Sequence, residues 1–225
     1  MALILSIETS TNVCSVALHQ DTQLLGVYEL FTEKSHASAI TLLIEQLMQN
    51  AGHQLSDVSA INVSKGPGSY TGLRIGVATA KGLCYALDKP LISVSTLQAM
   101  AYGLSKHYPE KKYLYCPMID ARRMEVFCEV FNGSLDSVLP TDARIINEYS
   151  FAELLADNFI IFFGNGAAKC KTILAHMPNA LFVDDIYPSA KYTGVLAHER
   201  YTNNLFEDIA YFEPFYLKEF FYKKA

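Results

Sequence analysis

Leu3-Ile4-Leu5-Ser6-Ile7-Glu8-Thr9-Ser10-Thr11-Asn12-Val13 is the stretch from which the fold can be read. Leu3 to Ile7 is a near-continuous apolar run, the composition of a strand buried on both faces. It meets an acid at Glu8, and the polar cluster Thr9-Ser10-Thr11-Asn12 turns the chain into a second strand, Val13 to His19. The pattern returns in the second half. Tyr113 to Ile119 is an apolar strand ending at Asp120, and a short turn leads into Met124 to Phe131. Laying Ile7-Glu8 over Ile119-Asp120 aligns two strand-acid-turn-strand units. That alignment suggests a duplicated α/β domain, although the identity is too low to count as a sequence repeat.

Working outward, Asp21-Thr22 is a turn signal and Leu24 to Leu30 a third strand. From Ser35 the period changes. Ile40, Leu43, Ile44, Leu47 and Met48 fall on one face of a helix that Gly52 can end. Val58 to Ser64 is a short strand, followed by Lys65-Gly66-Pro67-Gly68-Ser69-Tyr70-Thr71-Gly72-Leu73-Arg74 and a helix running to Leu87. Pro90 precedes strand Leu91 to Val94, and Ser95 with Gln98 forms a capping box for another helix. The first half therefore reads β-β-β-α-β-α-β-α. Lys106 to Lys112 is polar and contains Pro109, which sets the boundary between halves 1–105 and 106–225, with the tail able to dock back on the first half. In the second half, Asn132-Gly133 signals a hairpin and Ser150 with Glu153 a second capping box. Phe159 to Phe163 is a buried strand, Ala167 to His176 a helix, and a last helix follows Pro188 and ends before Asn203.

The composition excludes several classes. The chain has 225 residues, 51% of them hydrophobic and 18% charged, with 18 Lys+Arg against 23 Asp+Glu for a net charge of −5. A disordered chain lacks that much apolar material, and no apolar run approaches the ~20 residues that span a bilayer. Met1 to Ile7 has no basic region before its apolar run, so no signal peptide is expected. Cys14, Cys84, Cys116, Cys128 and Cys170 are scattered singly without a CxxC pair, as expected of buried, reduced thiols in the cytoplasm. An acidic balance disfavours unaided binding of nucleic acid, because that affinity comes largely from neutralising phosphates.

The residues able to carry chemistry are few. Glu8 sits where a strand enters a hydroxyl-rich turn. Such a carboxylate, with Thr9, Ser10 and Thr11, either faces a phosphate and its metal-bound water or caps nearby backbone N–H groups. The segment Gly66-Pro67-Gly68-Ser69 through Thr71, Gly72 and Arg74 lies between a strand and a helix. It is an anion cradle or simply a tight turn whose glycines permit unusual dihedrals. It is no P-loop, since no GK[ST] follows, and the GxGxxG spacing fails at Thr71. The six histidines form neither HxxxH nor HExxH, so no metal site is expected. Ser69 lacks a neighbouring base or a GxSxG elbow. Arg122-Arg123 after Asp120 is either a surface salt-bridge cluster or an anion contact. The tail is aromatic, with Phe206, Tyr211, Phe212, Phe215, Tyr216, Phe220, Phe221 and Tyr222, as in a docked strand or a partner surface.

Together, Ile4-Leu5-Ser6-Ile7-Glu8-Thr9-Ser10, the stretch Lys65 to Gly76, Asp120-Ala121-Arg122-Arg123 and Pro214-Phe215-Tyr216-Leu217-Lys218 resemble the bacterial TsaB (YeaZ) family. The resemblance implies an α/β fold of two ribonuclease-H-like halves of the actin/Hsp70-like (ASKHA) superfamily. It also implies a non-catalytic role in forming threonylcarbamoyladenosine beside the tRNA anticodon. In that family the paralogue TsaD carries the metal and the transferase chemistry, and the ATPase TsaE completes the complex. ATP and a metal then belong to the assembly, no cofactor to this chain alone, and tRNA is reached only through the complex. Two departures from the catalytic paralogue support a scaffold. Its HxxxH falls where this chain has His36 followed by Ile40, and Glu8-Thr9-Ser10-Thr11 lacks the glycine of an Asp-x-Gly-Thr phosphate turn. The rival classes are an active kinase or ATPase of the superfamily, with Asp120 as its acid, and a metallopeptidase-like protein.

One surface is expected to serve partners. Gly72, Gly76 and Ala80 form a thin face on one helix, and Ile40, Leu43 and Leu47 offer apolar anchors on another, with Leu83 beside them. The pair is expected to meet the equivalent helices of the paralogue, or of a second copy in a homodimer.

Overall fold

The computed structural model describes residues 1–31 and 36–218; Phe220, Phe221 and Tyr222 lie outside them. The described residues divide into two compact units, 1–99 with 188–215, and 100–187 with 216–218.

The first unit is built on β1 (Leu3–Glu8), β2 (Val13–Gln20), β3 (Gln23–Phe31), β4 (Ala60–Gly66) and β5 (Leu91–Ser95), in the order β3-β2-β1-β4-β5. β1, β2 and β3 form an antiparallel meander, and β4 and β5 join β1 in parallel. β1 is buried at all six positions, as its unbroken apolar run requires. Alternation divides its side chains between two layers. Leu3, Leu5 and Ile7 join a core with Ile40, Ile44 and Leu47 of α1 (His36–Asn50) and Val77, Ala80 and Cys84 of α2 (Tyr70–Leu87). Ala2 and Ile4 pack instead with Ala197 of α6 (Ala190–Thr202) on the other face. α3 (Thr96–Ser105) follows β5, and Ser95 Oγ accepts the Gln98 N–H at 3.4 Å, the donor its capping pattern assigned to it.

The return of α6 to the first unit corrects the expected cut at 105/106, which let only the tail dock back on the first half; the exchange begins already at Pro188, ahead of α6. Its docking is partly polar. Asn62 Nδ2 donates to both Ser6 Oγ and Thr193 Oγ1 at 3.0 Å, and the Ala190 N–H donates to Ser15 Oγ at 3.1 Å. Gly194 lies directly on the buried His19 ring, where a Cβ would collide. The chain beyond α6 stays with this unit. The Glu207 N–H bonds the Leu91 carbonyl at 2.8 Å, Ile209 and Phe212 pack on the core, and the Phe215 N–H bonds Lys65 O at 2.7 Å.

The second unit repeats the topology. β6 (Tyr113–Asp120), β7 (Glu125–Phe131), β8 (Ser137–Ile145), β9 (Phe159–Phe163) and β10 (Ala180–Val183) lie in the order β10-β9-β6-β7-β8. Again a meander is joined in parallel by two later strands. Its core packs Cys116, Met118, Cys128 and Phe162 against Leu155 of α4 (Ala152–Asp157) and Cys170 and Leu174 of α5 (Ala167–Leu174). β8 and β10 were not anticipated from the sequence, and the expected box at Ser150 is not made. Ser150 Oγ instead accepts the Asn147 N–H at 3.0 Å, and α4 starts behind Phe151 with no side-chain cap.

Candidate functional site

In the first unit, β1 delivers Glu8 to the carboxyl end of the sheet, where open α/β folds place their ligands. Here the carboxyl group is fully buried. Its Oε1 accepts the Ser10 N–H at 2.6 Å and its Oε2 accepts the Ser64 hydroxyl. Burial pushes the Glu8 pKa up, against the lowering effect of the Ser10 and Ser64 hydrogen bonds and of nearby His36. The His36 ring is buried beside this turn and donates from Nε2 to the Thr11 carbonyl at 2.7 Å. Neither His36 Nδ1 nor Ser10 Oγ has a partner among the described residues. Ser64 was missed in the sequence; the polar alternation Asn62, Ser64 within a buried strand was its signal.

The glycine-rich turn closes over the same place. Gly66 ends β4 at φ +108°, and Ser69 caps α2 by accepting the Gly72 N–H at 3.3 Å. The Ser69 N–H donates to the Ser10 carbonyl at 2.7 Å, and Thr9 Oγ1 donates to the Gly72 carbonyl at 2.8 Å. A Cβ on Gly68 would strike Ser10, and one on Gly72 would strike the Thr9 carbonyl. Pro67 follows through a cis peptide, Thr71 is exposed, and Arg74 donates to the Tyr70 hydroxyl at 2.8 Å. The glycines thus serve close backbone approach between two turns of the same unit.

The helix faces need a correction. Gly72, Gly76 and Ala80 face inward: Gly76 rests on Thr9 Oγ1 and Ile7, and Ala80 belongs to the core. Ile40 and Leu47, at 1% and 2% exposure, are core residues as well. A strip of small residues dictates that something comes close, and here it is the β1–β2 turn of the same unit. Leu43 and Leu83 remain half-buried. Between α1 and α2 lies an open, mostly apolar groove of about 390 Å³, lined among others by Thr41, Ile44, Glu45, Met48, Thr79 and Leu83.

The second unit carries the matching acid in a different setting. Asp120 ends β6 and is exposed. Its N–H donates to Asn165 Oδ1 at 3.0 Å, and its Oδ1 accepts the Arg122 N–H at 2.9 Å and the ammonium of Lys169 from α5. Lys169 also donates to the Glu125 carbonyl at 2.7 Å. The Gly164-Asn165-Gly166 turn fits tightly below, since a Cβ on Gly166 would lie 2.9 Å from the Ile119 carbonyl carbon. Asn165 and Lys169 were missed because nothing in their local sequence distinguishes them from ordinary turn and helix residues.

His36 is tied to a backbone carbonyl, position 40 is isoleucine, and among the described residues no group of three or more His, Cys, Asp or Glu converges.

Burial of Glu8 has a measurable consequence. A carboxyl group whose pKa is raised on folding keeps its proton in the native state over a pH range where the unfolded chain has lost it. Its contribution to stability therefore falls as pH rises from 4.5 to the folded pKa, by at most about 1.4 kcal/mol per pH unit, and is level above. Glu8→Gln removes that term. The stability of the variant relative to the parent is expected to improve with pH across this range, measured by urea unfolding at a series of pH values. Parallel curves for the two proteins would show that Glu8 is not proton-linked. The comparison cancels His19, whose burial lowers its pKa and whose contribution rises with pH up to 6.5.

A doubled sheet of this order, with an acid closing the first strand of each copy, defines an α/β protein of two ribonuclease-H-like halves of the actin/Hsp70-like superfamily. An inorganic polyphosphate/ATP-glucomannokinase from Arthrobacter sp. strain KM shares the fold at TM-score 0.53 and 12% identity, covering 91% of this chain and 100% of that one. Residues 11–219 match the family model described as "TsaD: tRNA N6-adenosine threonylcarbamoyltransferase". The "tRNA threonylcarbamoyladenosine biosynthesis protein TsaB" of Bacillus subtilis (strain 168) is 31% identical over 76% of this chain and 74% of its own. Its namesake from Escherichia coli (strain K12) is 38% identical over 55% of this chain and 52% of its own. A Pseudomonas aeruginosa crystal structure, described as an uncharacterized protein with similarity to peptidase YeaZ, superposes at TM-score 0.85 with 25% identity, covering 97% of this chain and 100% of that one. The chain belongs to the TsaB (YeaZ) family.

Proposed function

We propose that this chain is a non-catalytic subunit required for N6-threonylcarbamoylation of the adenosine next to the tRNA anticodon. It pairs with a TsaD-like paralogue that does the chemistry and works with a TsaE-like ATPase in the cytoplasm. The observation that carries this reading is the filled acid turn: Glu8 is fully buried, and Gly68 and Gly72 press directly on Ser10 and Thr9. Phosphoryl or acyl transfer needs charge preorganised toward a reacting group that can reach it, and at Glu8 the neighbours are the chain's own serines. A kinase needs an accessible phosphate turn, so the burial at Glu8 weighs against that alternative, while the acid it would use, Asp120, is exposed but paired with Lys169. ATP and the metal enter through the paralogue and the ATPase.

The α1–α2 groove is the surface we assign to the paralogue, and to a second copy when the chain is alone. It is apolar, open and next to rigid core helices. The purified chain alone is expected to support turnover of neither ATP nor tRNA. Adding the paralogue and the ATPase should give modified tRNA only when this chain is present. Multiple turnovers of tRNA by the chain alone, or full modification without it, would overturn the proposal.

A further inference from the structure

The β6–β7 connection holds two consecutive arginines in a backbone conformation that does not suit them. Arg122 lies at φ +72° and Arg123 at φ +49°, the left-handed region where glycine or asparagine is at home. Both side chains are exposed, and neither guanidinium has a hydrogen-bond or ion-pair partner among the described residues. The nearby carboxylates are already used. Asp120 is held by Lys169, and Glu125 by Lys218. Other basic side chains of this unit are likewise engaged, Lys112 with Glu110 at 2.8 Å and Lys171 with Asp184 at 3.1 Å. On a chain whose net charge is −5, the turn is left with two uncompensated positive charges on a rigid hairpin.

We infer that Arg122 and Arg123 contact the phosphates of an RNA backbone, giving this acidic chain its own hold on the nucleic acid. The inference rests on the proposed role in tRNA modification, which supplies RNA as the polyanion in reach. Paired lysines fix the loop while the two arginines project, as in backbone contacts that position a protein without reading sequence. An uncompensated guanidinium suits phosphate because it is always charged and offers a planar set of donors.

The test replaces both residues, Arg122→Asn with Arg123→Gly, and separately reverses them, Arg122→Glu with Arg123→Glu. The probe is a synthetic tRNA anticodon stem-loop, followed by fluorescence anisotropy at a series of salt concentrations. It is titrated with the chain alone at low salt and with the chain bound to its TsaD-like paralogue. Loss of two phosphate contacts should weaken binding about tenfold at low salt and make the plot of log K against log salt shallower by roughly 1.5. Charge reversal should weaken it further, and a stem-loop of unrelated sequence should lose as much. The Asn/Gly variant should melt no lower than the parent, because its residues suit the left-handed positions. Unchanged affinity and salt slope would overturn the inference. So would a loss of paralogue binding with RNA binding intact, which would make the turn a contact to an acidic protein face. Failure of the wild-type chain to support tRNA modification with its partners would count against the functional proposal instead, and is read in a separate assay.

Discussion

Gly76→Leu is expected to unfold the first unit, with a loss of about 3 kcal/mol or more in urea unfolding or failure to accumulate as folded protein. From the sequence alone the same change loosens a helix contact with a partner and leaves the fold intact. The difference lies in what occupies the notch. A Cβ at position 76 meets Thr9 Oγ1 and Ile7, and one at position 72 meets the Thr9 carbonyl. Neither obstacle is a flexible chain end, because Thr9 is held by its hydrogen bond to the Gly72 carbonyl at 2.8 Å and Ile7 lies in a fully buried strand. Overpacking a rigid core costs about 1–3 kcal/mol even for added methylenes, and here α2 would have to leave the β1–β2 turn. Gly72→Val should behave in the same way. Gly82 provides the control, since it lies in the same helix and a Cβ there meets nothing within 4 Å. Gly82→Ala should stabilise by roughly 0.5–1 kcal/mol through helix propensity. If Gly76→Leu melts like the parent, the close approach of turn and helix is not a feature of the fold.

The part of this architecture legible in the sequence is the part written in continuous apolar runs and turn chemistry. β1, β6 and β9 announce themselves as buried strands, and Glu8 and Asp120 mark equivalent ends. That was enough to suggest a duplication, which the two sheet orders now make explicit. β8 escaped because it is a half-exposed edge strand carrying Pro140, a pattern that resembles loop as much as strand. β10 is only four residues long. α6 was found as a helix but assigned to the wrong unit. Its fully buried residues are the small Ala190, Thr193, Gly194 and Ala197, and its larger apolar side chains, Tyr192, Leu196 and Tyr201, are only partly buried against the core, so no strong apolar stripe announces its destination. The same ambiguity governs the α2 notch. Small side chains fix the distance of an approach, while the identity of the neighbour is decided by topology that lies elsewhere in the chain. The acid turn shows the converse. Thr9, Ser10 and Ser64 have ordinary local sequence signatures, and only the fold reveals that their hydrogen bonds are spent on Glu8 and Gly72.

With the glycine notch assigned to the interior, the partner surface is expected at the outer side of α1 and α2. Leu83→Asp and Thr41→Arg are the substitutions to make, since both residues line the groove and neither is fully buried. Covering an apolar groove is the main gain when two such faces meet, and an unpaired charge placed there must be stripped of water without compensation. Each change should weaken self-association and capture of the TsaD-like paralogue by at least about 30-fold, the scale of a residue at the centre of an interface. Stability should change little for Thr41→Arg, because Thr41 is exposed, whereas Leu83→Asp also loses packing against the core and is compared at a temperature where circular dichroism shows it folded. Sedimentation gives the oligomeric state, titration calorimetry the affinity for the paralogue, and circular dichroism the fold. The two associations should fall together if they use the same groove, since a two-fold dimer would pair this surface with itself. Loss of the homodimer with paralogue binding unchanged would separate the surfaces. Folded variants that retain both would move the interface off these helices, with the exposed Tyr211 and its neighbours in the tail as the next place to cut.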